Sequence, residues 1–282
     1  MDNLKNYFLA TAIAAVLYLG TAQISFGQNL LTNGNFTSFT TAPPTDGSGL
    51  DTTSYTTGAV LSSWTNAGYT FVFTNGNAGD LTITGSAGAF SLRGPNNTTP
   101  TNNGLDLPPQ PPGGANVVAL DGAYEVGPLT QVVGGLTAGK TYAVSFDWAG
   151  AQQNGNYNTA TTDSFSVALG AATGVFTAGP GGTSGTLAGS QTTAVADNVA
   201  HGFTGWMTQT FDFTATGSSE TLYFLANGTP TGEPPFALLS DVSLTVVPEP
   251  ATSATWTLLF GMLILAGNRA WRLYQKRSAT NS

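Results

Sequence analysis

Hydrophobic and polar positions alternate along much of the chain. Tyr142, Val144, Phe146 and Trp148 fall on one face of an extended segment, with Ala143, Ser145 and Asp147 on the other. The same pattern returns at Tyr69, Phe71 and Phe73, at Leu129, Gln131 and Val133, and at Phe165, Val167 and Leu169. It returns again at Leu222, Phe224 and Ala226, and at Val242, Leu244 and Val246. Successive side chains on a strand point to opposite faces, so a period of two predicts half-buried β-strands. Clusters of Gly, Asn, Pro and Thr separate these runs, as turns require. No stretch between residues 28 and 246 sustains a helical period. Many short strands with polar turns predict an all-β fold, a β-sandwich or jelly roll. Two stretches read as long loops. Arg93 to Gly114 carries Pro108, Pro109, Pro111 and Pro112, which remove ladder donors, and Ala178 to Gly189 is rich in Gly, Thr and Ser.

The two ends follow a different rule. Lys5 precedes an apolar segment from Tyr7 to Leu19, and Ser25 and Gly27 fall at −3 and −1 if cleavage precedes Gln28. That is the layout of a secretory signal peptide, and the run is short for an uncleaved anchor. At the other end, Pro248, Glu249 and Pro250 precede a mostly apolar run from Ala251 to Gly267, followed by Arg269, Arg272, Lys276 and Arg277. A bilayer takes roughly 17–25 residues of helix to cross, and basic residues after the span mark the cytoplasmic side. Trp256 and Trp271 stand near its two ends, where indole rings favour the interface. The sequence therefore predicts a signal peptide (1–27), a β-sandwich body (28–246) and a C-terminal segment with a transmembrane helix (247–282).

The order Pro-Glu-Pro, apolar run, arginines resembles the PEP-CTERM sorting signal of Gram-negative bacteria. The resemblance implies an exosortase-type membrane protease as partner and cleavage near the motif. It also implies at least transient anchoring in the inner membrane, and delivery to the cell surface or the exopolysaccharide matrix. A plain single-pass anchor with a chance Pro-Glu-Pro is the alternative.

Charge narrows the function of the body. Residues 28–246 hold two cations, Arg93 and Lys140, against 13 carboxylates, a net charge of −11. Nucleic-acid binding rests on Lys and Arg, so that class of partner is set aside. The chain has no cysteine, which excludes disulfides, zinc-thiolate and iron–sulfur sites, and a cysteine nucleophile. Scarce charge with abundant Gly and Thr would fit disorder, but the alternating aromatics argue for a packed core.

Several short motifs recur in a telling order. They are Asn33-Gly34-Asn35-Phe36, Leu61-Ser62-Ser63-Trp64, Val118-Ala119-Leu120-Asp121-Gly122, Gly135-Leu136-Thr137-Ala138-Gly139-Lys140-Thr141-Tyr142 and Leu239-Ser240-Asp241-Val242. This succession resembles galactose-binding-like jelly rolls, in particular those related to carbohydrate-binding modules. The resemblance implies a structural calcium where the first and last strands meet, with Asp241 and the carbonyl of Asn33 as ligands. Thr37 stands where the family commonly has Glu, which removes one carboxylate from that set. The alternative for Asp241 is an ordinary strand-edge or turn carboxylate.

The resemblance also implies a sugar site built from an aromatic platform with nearby amides. Trp64, Trp148, Trp206, Tyr124 and Tyr157 are the candidate platforms. Trp148 continues the apolar face of its strand and reads as core, as does Trp64. Tyr157, with Asn154 and Asn156, lies in an amide-dense stretch and is the preferred candidate.

Signals for catalysis are sparse. His201 is the one histidine, and there is no Gly-x-Ser-x-Gly elbow, phosphate-cradling loop or dinucleotide fingerprint. Asp121, Glu125, Asp147 and Asp163 could supply a glycosidase pair, but no pattern selects two of them. The sequence thus points to a non-catalytic exported protein associating with extracellular polysaccharide. A structural or adhesive matrix protein without a sugar site is one alternative, and an envelope glycoside hydrolase is another.

Overall fold

The computed structural model describes residues 27–41, 50–51, 60–73, 92–95, 108–153, 155–173 and 185–248. In the C-terminal segment it describes 261, 264–265, 267–269 and 271–272. The chain divides into two units, Gln28–Val247 and Met1–Gly27 with Pro248–Ser282. In the first unit the short strands come first: β1 (Phe39–Thr41), β2 (Leu50–Asp51), β3 (Val60–Leu61), β4 (Thr65–Asn66) and β5 (Thr70–Phe73). Then follow β6 (Val117–Asp121), β7 (Leu129–Gly134), β8 (Thr141–Gln152), β9 (Thr161–Gly170), β10 (Ala172–Thr173) and β11 (Thr186–Leu187). The last are β12 (Gln191–Thr192), β13 (Ala196–Asn198), β14 (Met207–Thr214), β15 (Ser219–Thr229) and β16 (Pro235–Val246).

These strands form two antiparallel six-stranded sheets. One runs β14-β8-β16-β6-β5-β2; the other runs β12-β9-β15-β7-β4, with β13 also paired to β9. Two ribbons, β1-β3 and β10-β11, complete the described strands. The fold is all-β and sandwich-like, as the period-two pattern predicts. Part of the expected Ala178–Gly189 loop is strand, because β11 pairs with β10.

The main core lies between the sheets. Val144, Phe146 and Trp148 of β8 meet Phe165 and Val167 of β9 and Leu222 and Phe224 of β15. The ring of Phe146 stands edge-on to Phe224 at 5.1 Å and to Phe165 at 6.2 Å. The inward polar position of β7 is satisfied locally. Gln131 accepts from Thr32 N (2.9 Å) and donates to Thr32 O (2.8 Å), which binds the N-terminal segment to the sheet.

A second apolar layer covers the outer face of the β8 sheet. Phe71, Phe73, Val117, Ala119, Ala149, Ala151, Phe236 and Leu238 form it, with Leu92 closing over them and Tyr69, Phe203 and Trp206 at its edge. Alternation is therefore absent where it would be expected: every residue of β6 is buried, and so is Pro235–Ser240 of β16. The closing strand thus begins at Pro235, not at Val242. Asp241 lies inside it, at a register shift between Ser240 and Ser243, exposed and with φ +48°. The extra residue re-aims the strand, so that Val242 and Leu244 return to the inter-sheet core.

In the second unit, the described residues from Gly261 to Arg272 are helical. Arg269 and Arg272 are exposed, and Pro248 is exposed at the end of the body. Among the described residues no helix is long and apolar enough to cross a membrane. Most of the expected signal peptide, Glu249, Pro250, most of the apolar run, Lys276 and Arg277 lie outside the described residues.

Candidate functional site

Four connections gather at one end of the sandwich: 122–128, 153–160, 199–206 and 230–234. Each is fixed by a polar side chain or by backbone crowding. Asp121, at the end of β6, caps the first of them. Its carboxylate accepts from Ala123 N (2.8 Å) and Tyr124 N (3.0 Å) through Oδ1, and from Glu125 N (3.1 Å) through Oδ2. The chain then passes so close to β15 that a Cβ on Gly122 would sit 2.7 Å from Gly228 N. Glycine is required there by contact. Tyr124, at the tip, is 49 % exposed.

Gln152 is the hub of the loop end. It is the last inward residue of β8, fully buried, where the apolar face of that strand turns polar. Its amide nitrogen donates to Thr159 O (3.1 Å) and lies 3.4 Å from both Glu233 O and Glu233 Oε2. Its amide oxygen accepts from His201 N, and its backbone N–H donates to Gly202 O at 3.2 Å. One side chain thus joins three of the four connections. Gln152 adjoins the amide-dense stretch of Tyr157 in sequence. The signal that it belongs to the strand is parity, since Gly150 and Gln152 continue the face of Phe146 and Trp148.

The preferred aromatic, Tyr157, is half-buried. Its ring packs on Gly155, where a Cβ would lie 2.6 Å from Tyr157 Cε2. Gly155 O is held by Arg93 Nη2 at 2.8 Å. Asn156 is exposed and its carbonyl accepts from Asn158 Nδ2 (3.1 Å). Asn158 Oδ1 lies 3.2 Å from His201 Nε2, and Thr159 N donates to Glu233 Oε2 at 3.0 Å. Tyr157 and Asn156 are thereby brought together with Asn158, Glu233 and His201; Asn154 lies outside the described residues. Glu233 and His201 carried no motif, and the link between them is tertiary.

The three candidate tryptophans have structural places. Trp148 is 2 % and Trp64 6 % exposed, both in the core, and Trp64 Nε1 donates to Asn33 O at 2.9 Å. Trp206 donates to Pro109 O (2.8 Å) and packs 6.1 Å from Phe203. Two of the carboxylates considered for catalysis are likewise engaged. Asp121 caps its turn, and Asp147 accepts from Thr208 Oγ1 at 2.6 Å. Asp163 is fully buried and lies with its Oδ2 where a Cβ on Gly150 would come within 2.5 Å. Burial, and then the like charge of Asp121, push the Asp163 carboxyl well above the ordinary carboxylate range.

Of the expected calcium pair, Asn33 is already hydrogen-bonded within the protein. Asn33 O already accepts from Phe36 N (3.1 Å) and Trp64 Nε1 (2.9 Å). The Asn33 amide bonds Ser38 N, Ser38 O and Ser62 O at 2.9 to 3.0 Å. Asn33 is committed to its turn, and Asp241 offers a single exposed carboxylate. Among the described residues no three of His, Cys, Asp and Glu converge.

No family model matches the chain. No curated protein matches it. Among solved structures, TmCBM61 in complex with β-1,4-galactotriose is similar at 13% identity and a TM-score of 0.36, covering 78% of this chain and 99% of its own. A CBM4 structure is similar at 14% identity and a TM-score of 0.32, covering 77% and 99%. A putative sugar binding protein from Bacteroides thetaiotaomicron is similar at 14% and 0.32, covering 78% and 100%. Identities and TM-scores this low transfer neither a ligand nor a residue to this chain.

Proposed function

We propose that this chain is an exported, non-catalytic cell-surface or matrix protein whose loop end binds neutral extracellular polysaccharide. In this reading an exosortase system sorts it through the Pro248-Glu249-Pro250 segment. The observation that carries the binding half is the rim formed by Tyr157 with Asn156, Asn158 and Glu233, held by the buried Gln152. A flat ring supplies an apolar face for a pyranose, and amides and a carboxylate supply partners for its hydroxyls. The net charge of −11 on residues 28–246 favours neutral over acidic glycans. The sorting half rests on the order of motif, apolar run and arginines.

Retention of the purified full chain on purified exopolysaccharide tests the first half. Tyr157→Ala should weaken retention while leaving the thermal midpoint nearly unchanged. Equal retention of both proteins refutes the site. Deleting Pro248–Ser282 tests the second half: the body should then be released to the medium, and an unchanged distribution between membrane and medium refutes sorting by the tail.

A further inference from the structure

Directly beneath the loop end the core holds a group of buried oxygens that the protein leaves without partners. On β9, Thr161 and Asp163 take the inward positions that Phe165 continues. On β13, Asn198 stands opposite Thr161 in the antiparallel register, and Ala196 opposite Asp163. Thr161, Asp163 and Asn198 are 2 %, 0 % and 2 % exposed. Among the described residues no hydrogen-bond partner reaches Thr161 Oγ1, either carboxylate oxygen of Asp163, or Asn198 Oδ1. The Asn198 amide is oriented by its nitrogen, which donates to Gly202 O at 3.0 Å, so its oxygen faces away from that carbonyl.

The surface opposite them is glycine backbone, against which two of these side chains pack directly. Gly150 and Gly202 lie on neighbouring stretches of chain joined by Gln152 N to Gly202 O (3.2 Å) and Thr204 N to Gly150 O (2.9 Å). A Cβ on Gly150 would meet Asp163 Oδ2 at 2.5 Å, and one on Gly202 would meet Asn198 Oδ1 at 2.5 Å. Both oxygens approach bare backbone.

We infer that Asp163, Thr161 and Asn198 form a binding site for one hard cation, for which calcium is the fitting probe. Buried acceptors without partners are costly, and a buried carboxylate either keeps its proton, as the raised Asp163 pKa allows, or takes a counter-charge that displaces it. A water molecule could donate to these oxygens but brings no charge. The neighbouring Asp121 deepens the negative potential instead of relieving it. A carboxylate, an amide oxygen and a hydroxyl are the donors that hard cations take, with backbone carbonyls or water completing the shell. The ion would join β9 to β13 and brace the 199–206 connection under the proposed glycan rim. This site is separate from Asp241 and does not depend on the sugar-binding reading.

Calorimetric titration of the purified full chain with calcium chloride, after chelator treatment, should show one site per chain. The thermal midpoint should rise with calcium by mass action. Asp163→Asn should weaken calcium at least ~10-fold, the lower bound for losing even an outer-sphere partner. Thr161→Val should weaken it in the same titration, and Asp241→Ala should bind as the unmodified protein does. Absence of calcium binding overturns the inference, as does equal affinity of Asp163→Asn, or loss of the site in Asp241→Ala instead. If Asp163→Asn fails to fold, the Thr161→Val titration decides, and an unchanged affinity there overturns it.

Discussion

Phe146→Ala is the most direct test of the sandwich. Phe146 is 1 % exposed and stands between the sheets, with ring centroids of Phe224, Phe211 and Phe165 at 5.1, 6.0 and 6.2 Å. Removing the ring forfeits a transfer free energy of about 1.5–3 kcal/mol. A residual void of roughly 50 Å³ would add about 1.2 kcal/mol, at ~24 cal/mol per Å³. Two of the neighbouring rings lie near perpendicular to it, at 83° and 84°. Lost edge-to-face contacts push the total toward the upper part of the usual Phe→Ala range of about 3–5 kcal/mol. Against a domain stability of about 5–15 kcal/mol, that is a large fraction. Urea denaturation of the purified full chain measures it as a lower midpoint at an unchanged slope. Tyr157→Ala is the comparison: the ring is half-buried at the rim, and its loss should cost less than about 1 kcal/mol. If Phe146→Ala loses no more stability than Tyr157→Ala, the register of β8 and the inter-sheet core are both wrong.

Two further outcomes follow from the loop end. In chelator, stability should fall as pH rises above about 4, the ordinary Asp range. The raised folded-state pKa of Asp163 means that the native state holds a proton the unfolded chain has released. Asp163→Asn should flatten this slope in melts across pH, with Asp121 and His201 unchanged; an identical slope in the variant would show that Asp163 is not its source. Gly122→Ala should cost about 1–3 kcal/mol, because its Cβ meets the backbone of Gly228 and Asn227, not a flexible side chain. A melt matching the unmodified protein would show that β6 and β15 can part without penalty.

Most strands legible in the sequence have one wet face; β5 was legible from Phe71 and Phe73 although all four of its residues are buried. β7 alternates buried and open positions from Leu129 to Gly134, and Gln131 keeps the rhythm because Thr32 satisfies it. β6 and the first half of β16 were hidden by the second apolar layer: Val117–Leu120 and Phe236–Leu239 are continuous apolar runs, and a run buried on both faces has no period. β14 was missed although its burial alternates, because Gln209 interrupts its inward face and, at the sheet edge, only Phe213 on that face is buried. The rim at Tyr157 and Asn156 could be proposed from its amides. The hub at Gln152 and the buried Asp163 could not, because both depend on tertiary pairings: Gln152 with His201, 49 residues away, and Asp163 with Ala196 across the β9–β13 pair.

The position of β16 has a mechanical consequence. It runs between β8 and β6 in the interior of its sheet, and Val247 N closes the end of it on Thr141 O at 2.9 Å. The first residues of the body are fastened to the same strand, through Leu30 N to Leu244 O (2.9 Å) and Leu244 N to Asn29 Oδ1 (3.0 Å). Tension entering at Val247 therefore pulls a central strand along its own axis. The hydrogen bonds on both flanks are strained together in shear; they do not open one after another from an edge. A chain held at its C-terminal side would yield at a high force in a single step, and single-molecule extension showing gradual peeling at low force would contradict that behaviour.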